Sequence, residues 1–354
     1  MHNQLSKRIT ISLDGMGGDN APDMVVEGAA LAAETLSNVD FMLFGDEARL
    51  GPLVKRFPKL VAITTIHHTD DVVTNEMKAA IALRSGRNTS MRLAINAVKR
   101  GEAQGVVSAG NTGALMAMAK FVLRTLPGID RPAIATYFPT KRGVTVMLDL
   151  GANVDCDYNN LVQFAVMGEV FARNVLGLEK PTIGLLNVGA EGMKGNEAVK
   201  KTDEILRNST LPIDYYGFIE GDDIGAGTVD VVVTDGFSGN IALKVIEGTA
   251  RFITHTIREA FLSSPRNKLG ALIAKPAFNQ IKERLDPRRY NGAMLVGLNG
   301  ICVKSHGGTD AFGFANAIKV AAEMVTKGFN ENIKEEFNHL GDMAPVELRA
   351  APSK

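Results

Sequence analysis

The chain has 354 residues, of which 45% are hydrophobic and 22% are charged, a balance that is typical of an ordinary water-soluble globular protein. Its 39 basic and 39 acidic residues cancel to a net charge of zero, which argues against general nucleic-acid affinity. No apolar run approaches the ~20 residues that span a bilayer, and no signal-peptide pattern follows the basic residues near the N-terminus.

The two cysteines, Cys156 and Cys302, indicate a reducing compartment rather than a disulfide framework, so we expect a cytoplasmic location. The length leaves open one large α/β domain with subdomains or two domains. We favour a single α/β/α catalytic domain over residues 1–340 with a central cleft, followed by a loosely held tail over 341–354.

Apolar, β-branched runs alternate with longer helix-like runs, a pattern that predicts a mostly parallel sheet covered by helices on both faces. In chain order, the first part is predicted to form a strand at 8–15, a helix at 22–36, strands at 39–45 and 61–67, a helix at 88–101, and a strand at 105–110 that leads into a helix near Gly113. The second part is predicted to form an antiparallel hairpin from 132–138 and 143–150, strands at 182–189 and 229–236, and a last strong helix at 310–325. Ligands of such sheets bind in the crevice at the carboxyl ends of the strands.

The segment 258–290 interrupts this alternation, because Pro265, Pro276 and Pro287 are expected to cut it into short helices. Residues 251–289 hold nine basic and three acidic residues. We interpret the segment as a basic helical insertion, either a cap over the sheet or a surface that meets an acidic protein or a membrane. The candidate contact residues of that surface are Lys268, Lys275, Lys282, Arg284, Arg288 and Arg289.

Glycine-rich turns follow several of the predicted strands. The stretch SAGNTG at 108–113 precedes a helix, and comparable turns lie at 13–23, 185–199, 231–245 and 304–314. Backbone N–H groups at a helix N-terminus bind anions, but one terminus contributes only about 0.3–1 kcal/mol. Several turns and at least one cation must therefore converge to hold a free phosphate. The sequence predicts such a phosphate-type site, with Lys194 as the best-placed cation.

Other chemistries lack their motifs. The chain has no G-x-G-x-x-G dinucleotide fingerprint, no G-K pair of a P-loop and no G-x-S-x-G elbow. The histidines show no metal-binding spacing, and we interpret His67 and His68 as the end of a strand. We therefore predict no cofactor and no metal site.

Seven motifs occur in order along most of the chain: LDGMGGDNAP (13–22), SAGNTGAL (108–115), LDLGANVD (148–155), GLLNVGAEGMKGN (184–196), FIEGDDI (218–224), TDGFSGNIALK (234–244) and YNGAMLVGLNGICVKSHG (290–307). Together they resemble the motifs of the bacterial acyl-carrier-protein:phosphate acyltransferases, the PlsX family. The family commonly has alanine where this chain has Gly15.

The resemblance implies a Rossmann-like, three-layer α/β/α fold similar to that of phosphotransacetylases and isocitrate- or isopropylmalate-type dehydrogenases, and a homodimer. It also implies a reaction in which acyl-carrier protein and inorganic phosphate give acyl phosphate and free carrier protein. The acyl phosphate would pass to a membrane glycerol-3-phosphate acyltransferase in phospholipid synthesis. A cytoplasmic enzyme with peripheral membrane association is expected from this role.

For that reaction we expect Lys194 to contact the phosphate or the oxyanion, and Asp235 to orient Lys194 or the attacking phosphate. His306 is a candidate acid for the leaving thiolate, with a helix-cap histidine as the alternative. The residues expected to bind phosphate or thioester, or to line the crevice, are Asp14, Gly17, Gly18, Ser108, Gly110, Asn111, Gly113, Asn196, Gly239 and Asn240.

Three alternatives stay open from the sequence. The first is a phosphotransacetylase-like enzyme that uses acyl-CoA, and the second is a metal- and NAD-dependent dehydrogenase of the isocitrate type. The third is a non-enzymatic anion-sensing protein. A comparison of donors, a nicotinamide-reduction assay and a turnover assay separate them.

Overall fold

The computed structural model describes residues 8–209, 211 and 213–343, without the side chains of residues 282 and 338–343. Of the tail predicted at 341–354, residues 341–343 end a helix that begins at Phe329, whereas residues 344–354 and the side chain of Lys282 lie outside this description. The strands are β1 (Ile9–Asp14), β2 (Val39–Gly45), β3 (Thr64–His68), β4 (Gly105–Ser108), β5 (Ala133–Thr140), β6 (Gly143–Leu148), β7 (Thr182–Leu186), β8 (Asp214–Ile219), β9 (Val231–Val233), β10 (Ala293–Val296) and β11 (Ile301–Lys304).

The helices are α1 (Asp23–Thr35), α2 (Glu47–Lys55), α3 (Pro58–Val61), α4 (Ala79–Ser85), α5 (Ser90–Lys99), α6 (Thr112–Leu123), α7 (Tyr158–Leu176), α8 (Glu197–Asn208), α9 (Gly221–Ala226), α10 (Gly236–Leu262), α11 (Pro265–Leu285), α12 (Ala311–Thr326) and α13 (Phe329–Met343). A single 3-10 turn, Pro287–Tyr290, joins α11 to β10.

All described strands join one sheet in the order β3-β2-β1-β4-β11-β10-β5-β6-β9-β7-β8. The first five strands of this order are mutually parallel, as are the last four. Between them, β10 and β5 pair antiparallel with both of their neighbours. The two parallel blocks therefore run in opposite directions.

Helices cover both faces of the sheet, which confirms the predicted three-layer, mostly parallel α/β fold. One core cluster holds the buried faces of α1, α7 and α12 against the sheet, and the other holds those of α5 and α6. Strands such as β9 are buried along their whole length, as central parallel strands are. The core contains fully buried Phe41, Phe164, Phe171 and Phe314.

Most predicted elements are confirmed, including the antiparallel hairpin, which pairs Thr136 with Met147. The strand predicted at 61–67 begins later, because residues 58–61 form α3, whose first residue is a proline that is favourable at a helix start. The helix at 310–325 is not the last one, since α13 follows it.

The segment 258–290 forms the distal part of a long helical hairpin, α10 with α11. Side chains from 251 to 260 are all exposed, and the two helices meet through Phe261 and Phe278, whose ring centroids lie 4.8 Å apart. The prediction that Pro276 ends a helix is wrong. It lies inside α11, which is anchored on both sides of it, by the Phe278 contact and by the Ser264 cap. No helix in the described part of the chain is both long and apolar enough to cross a bilayer.

Candidate active site

The reversal of strand direction divides the glycine-rich turns between two edges of the sheet. The turns at 13–23, 108–113 and 304–314 follow β1, β4 and β11 at one edge. The turns at 185–199 and 231–245 follow β7 and β9 at the opposite edge. The five turns therefore do not all converge at one edge of the sheet, because β10 and β5 invert the second block.

The turns at the first edge contact one another. Asp19 donates its backbone N–H to Gly307 O at 2.9 Å. Gly18 has a φ of +111°, and a Cβ there would meet Ala109 Cβ at 3.0 Å and Gly307 O at 3.2 Å. Only glycine suits both this backbone conformation and this packing. We call the loops that meet here the first loop cluster: 15–22, 109–111 and 305–310.

A buried carboxylate holds the first loop cluster in place. Asp14 accepts hydrogen bonds from Ser90 Oγ at 2.6 Å and from Ser108 Oγ at 2.7 Å. Burial raises the pKa of Asp14. Ser108 Oγ also accepts from Gly110 N at 3.0 Å, and Gly17 leaves the space that the Asp14 carboxylate occupies. This corrects the expectation for Gly110, whose N–H is engaged within the protein.

Lys304 is the site residue that the sequence analysis missed. It ends β11, is 9% exposed, and directs its ammonium to Ala109 O at 3.3 Å and to Ser305 O. Burial lowers its pKa to about 8, with Asp14 and Asp19 opposing that shift and Lys244 adding to it. The available signal was a lysine inside the otherwise apolar strand ICVK.

Three predicted site residues, Asn111, Asn196 and Asp235, are helix caps. Asn111 Oδ1 accepts from Ala114 N at 3.0 Å, and its Nδ2 donates to Asn75 O at 2.8 Å and to other loop carbonyls. Asn196 caps α8, and Asp235 caps α10 by accepting from Ser238 N at 2.8 Å. The side chains of Asn111, Asn196 and Asp235 thus satisfy backbone groups at helix starts. No contact joins Asp235 to Lys194 among the described residues.

His306 lies exposed at the rim of the first loop cluster. Its backbone N–H donates to Asn291 Oδ1 at 2.9 Å, and its Nδ1 accepts from Gly308 N at 3.2 Å. A neutral imidazole whose Nδ1 accepts a hydrogen bond carries its proton on Nε2. The local hydrogen bonds therefore favour the tautomer with an Nε2 proton to donate.

The opposite edge is organised by Asp149, at the end of β6. Its carboxylate accepts from Ile134 N, Ala152 N and Asn153 N at 2.7–3.1 Å, and burial raises its pKa. The first turn of α10 lies directly against it, since a Cβ on Gly239 would fall 1.9 Å from Asp149 O. We call this region the second loop cluster: residues 149–157 and 234–240.

Two predicted site residues, Asn240 and Lys194, are exposed and lie outside the first loop cluster. Asn240 lies on the exposed side of α10 beside Gly151, and its amide has no hydrogen-bond partner in the described part of the chain. Lys194 is exposed in the loop after β7, with Glu191 Oε1 4.0 Å from its ammonium. Strands β7 and β9 are neighbours in the sheet. The loop that carries Lys194 follows β7, and helix α10, which carries Asn240, follows β9.

Helix α10 connects the two regions. Ala242, Leu243 and Ile246 pack on the core face that also contains α6, and Lys244 lies close enough to Lys304 to lower its pKa. Asn240 and Lys244 are one turn apart and thus share a side of α10. The Lys244 ammonium also forms a salt bridge with Glu247 at 2.9 Å, so the positive potential that Lys304 and Lys244 offer to a small anion is partly offset by this carboxylate.

Nearly the whole chain is similar in sequence to proteins of a single family. The family described as "Fatty acid synthesis protein" matches residues 9–332. A phosphate acyltransferase of Paramagnetospirillum magneticum is 62% identical over 98% of this chain and 99% of its own length. The chain belongs to the phosphate acyltransferase family. Another family member, from Rhodospirillum centenum, is 61% identical over 95% of each chain.

Solved structures share the fold of this phosphate acyltransferase family member at much lower identity. A phosphotransacetylase from Streptococcus pyogenes matches with a TM-score of 0.61 and 18% identity, covering 90% of this chain and 94% of that one. A phosphotransacetylase from Staphylococcus aureus matches with a TM-score of 0.58 and 17% identity, covering 90% and 95%. At this identity the likeness shows the fold alone.

The predicted basic surface of the hairpin divides into engaged and free residues. Arg284 donates to Thr140 O at 2.7 Å, and Arg288 forms salt bridges with Asp286 and Asp310 at 2.6 and 2.7 Å. These two arginines therefore fasten the hairpin and its following turn to the sheet and to α12. Among the described side chains of this surface, Lys268, Lys275 and Arg289 form neither a salt bridge nor a hydrogen bond.

One exposed group could hold a cation by its residue types. Asp46, His68 and Asp70 bring ligand atoms within 4.8 Å of one another. His68 Nδ1 already accepts a hydrogen bond from Glu47 N at 3.2 Å, and its Nε2 lies 3.6 Å from Asp70. These residues lie at or just after the ends of β2 and β3, which are separated from β11 in the sheet by β1 and β4.

Proposed function

We propose that the chain transfers a fatty acyl group from acyl-carrier protein to inorganic phosphate and releases acyl phosphate. Membership of the phosphate acyltransferase family supports acyl transfer to phosphate. The observation that carries the proposal is Lys304, buried behind the first loop cluster with its ammonium on Ala109 O and Ser305 O; Lys244 on α10 adds positive charge nearby and is itself paired with Glu247 at 2.9 Å. A positive site of this kind suits a free phosphate ion.

In this reaction a phosphate oxygen attacks the thioester carbonyl carbon, the C–S bond breaks, and the carrier thiolate leaves. A phosphomonoester has a second pKa of ~6, and inorganic phosphate loses its second proton near neutral pH, so a substantial fraction of it is dianionic there. It therefore needs no general base. Holding the two reactants together is worth up to ~7–11 kcal/mol, so positioning is the main task of the protein.

The residues divide this task. Lys304 and Lys244 supply positive charge for phosphate, and the N-terminus of α6 adds its dipole. Lys194 and the Asn240 amide are the free donors for the oxyanion, where one donor contributes about 2.7–4 kcal/mol. His306 donates its Nε2 proton to the leaving thiolate, whose pKa near ~8.5 makes this help useful but not obligatory. Asp14 and Ser108 position the loops.

The proposal includes a homodimer, peripheral membrane association and transfer of the acyl phosphate to a membrane glycerol-3-phosphate acyltransferase. The helical hairpin supports a peripheral role. Leu269, Leu272 and Ile273 on α11 are 60–76% exposed, and Lys268 and Lys275 flank them. Apolar side chains bordered by lysines are typical of a helix that lies on an anionic membrane surface.

The test is thiol release from a long-chain acyl-carrier protein by the purified protein, with and without inorganic phosphate. We expect release that depends on phosphate and a product that reacts with hydroxylamine, as an acyl phosphate does. The same acyl group on coenzyme A is the comparison donor, since phosphotransacetylases share the fold. Faster turnover with the coenzyme A donor, or release without phosphate, would contradict the proposal.

A further inference from the structure

A second basic region, stronger than the hairpin, borders the site. Residues 77–129 contain eight basic residues and one acidic residue, a local net charge of +7 in a chain whose total is zero. The acidic residue, Glu102, is paired with Arg100 at 2.7 Å. The remaining basic residues of this region are Lys78, Arg84, Arg87, Arg92, Lys99, Lys120 and Arg124.

Part of this region forms one continuous surface across α4, α5 and α6. Gly86, just after α4, packs on Met118 of α6, since a Cβ there would fall 2.8 Å from Met118 Cε. The Arg92 guanidinium of α5 lies 5.3 Å from the centroid of the Phe121 ring of α6. We call this surface the α6 basic surface, and it comprises Arg84, Arg87, Arg92, Lys120, Phe121 and Arg124.

The α6 basic surface has like charges crowded together. Burial lowers the pKa of Arg92, and the nearby Arg87 lowers it further. Arg92 Nη1 is buried and has no hydrogen-bond partner in the described part of the chain. None of the five basic side chains of this surface forms a salt bridge within that same part. Two neighbouring arginines without a carboxylate lack the counter-charge that a bound acidic partner would supply.

The same surface offers an apolar anchor. Phe121 is 64% exposed, and Ile81 on α4 is 52% exposed. Arginines around an exposed aromatic ring are the composition that protein interfaces favour for their central contacts. A docked protein would cover Phe121 while its acidic groups meet the arginines.

The position of the surface relates it to the site. Helix α6 begins at Thr112 in the turn of the first loop cluster and ends at Leu123, about 17 Å away at 1.5 Å per residue. Helix α4 begins beside the first turn of α6, since a Cβ on Gly113 would lie 3.6 Å from Ala79 Cβ. A protein that binds along α6 would therefore hold a flexible arm at the N-terminal end of that helix.

We infer that the α6 basic surface, rather than the helical hairpin, docks the acidic carrier protein that delivers the acyl thioester. This inference rests on the proposed function, since it names where the protein partner of the same site binds. The long arm of the carrier would run along α6 toward Lys304 while the folded part of the carrier stays on Phe121 and its arginines. The helical hairpin then remains available for the membrane contact proposed above.

The experiment measures binding of a fluorescent carrier protein that lacks the prosthetic arm, so that docking is separated from catalysis. The variant is Arg84→Glu with Arg87→Glu, and the matched control is Lys268→Glu with Lys275→Glu, which changes the net charge equally. We expect binding to weaken about tenfold or more only in the first variant, and to weaken with added salt in the wild type. Phe121→Ala should also weaken binding, without any change of charge.

Equal weakening in both charge variants, or wild-type binding by the first variant, would overturn the inference. Loss of binding to anionic vesicles in the first variant, with carrier binding unchanged, would also overturn it and assign the surface to a membrane. Turnover of acyl-carrier protein is measured in parallel. The expected binding pattern in a protein that transfers no acyl group to phosphate would support the docking surface while overturning the proposed function.

Discussion

Lys304 is costly to bury, because its ammonium has left water and contacts two backbone carbonyls rather than a carboxylate. Asp14 and Asp19 oppose the loss of its proton, and Lys244 and burial favour it. The outcome is a lysine with a pKa of about 8, which is positive below that pH and neutral above it. A group with this charge can hold phosphate only while it is protonated.

We therefore predict that the KM for phosphate rises as the pH passes above about 8. Phosphate itself is already dianionic in that range, so its own ionisation does not cause the rise. Steady-state kinetics from pH 7 to pH 10 measure the effect. In Lys304→Arg the side chain stays charged, because arginine keeps its proton throughout this pH range, and the rise should disappear. A rise of the same size in that variant would contradict the assignment.

Lys194 gives a second prediction at this scale. Its ammonium has only a distant Glu191 oxygen as neighbour, which leaves it free to meet a developing negative charge. Lys194→Ala should lower phosphate-dependent turnover at least about tenfold, since one lost oxyanion donor costs about 10²–10³-fold. Lys200→Ala on the following helix is the control and should leave turnover near the wild-type rate. Turnover within about threefold of wild type in Lys194→Ala would contradict the assignment.

The residue types in the glycine-rich turns predict the first residue of the following helix. They are a weaker guide to the ligand that each turn binds. Asn111, Asn196 and Asp235 are suited to anion or lysine contacts, and each is equally suited to cap a helix. The sequence cannot distinguish ligand binding from helix capping. A side chain that caps a helix bonds to the backbone N–H group three residues later, and that group is present in either case. Lys304 could have been noticed, since a lysine rarely belongs inside an apolar buried strand.

At the scale of single elements, α10 depends on a close approach to the loop after β6. Gly239→Ala would place a Cβ 1.9 Å from Asp149 O, a backbone atom that cannot rotate away. We predict a loss of about 1–3 kcal/mol or more in the free energy of unfolding, as overpacking causes. Turnover should fall as well, because α10 carries Asn240 and Lys244.

Gly248 supplies the matched control on the same helix, since a Cβ there would have nothing within 4 Å. Gly248→Ala should be neutral or stabilising by up to ~1 kcal/mol, because alanine loses less backbone entropy than glycine in a helix. Urea unfolding of both variants measures the difference. Equal stability of the two variants would show that α10 does not approach Asp149 this closely.

Local patterns predict the elements well and their mutual arrangement less well. The alternation of apolar runs identifies β1, β2, β4, β7 and β9, and the hairpin of β5 and β6 follows from its short turn. The antiparallel strand β10 reverses half of the sheet through pairings between residues far apart in sequence, such as Met294 with Ala135. Periodicity carries no information on such a pairing, so the two edges were not foreseen.

For the whole molecule, the zero net charge hides a strongly uneven distribution. The regions at 77–129 and 251–289 are both basic, and the remainder of the chain is correspondingly acidic. In the first region the charges surround an exposed phenylalanine in the last turn of α6, the helix that begins at the site. In the second, Arg284 and Arg288 are engaged in fastening the hairpin, and exposed apolar residues dominate its outer part. The two regions therefore suit different contacts.

Membrane contact by the hairpin can be tested with substitutions that leave Arg284 and Arg288 unchanged. Leu272→Asp with Ile273→Asp should reduce binding to phosphatidylglycerol vesicles, because both side chains are more than 60% exposed and would enter the interface first. The control, Val61→Asp with Tyr216→Asp, makes the same charge change at two exposed apolar positions elsewhere and should bind as the wild type does. Vesicle sedimentation measures the binding, and sedimentation velocity on the same variants measures the oligomeric state. A hairpin variant that binds vesicles normally but loses its oligomer would assign these side chains to a protein interface, because apolar groups that are covered by a second copy are not free to enter a membrane.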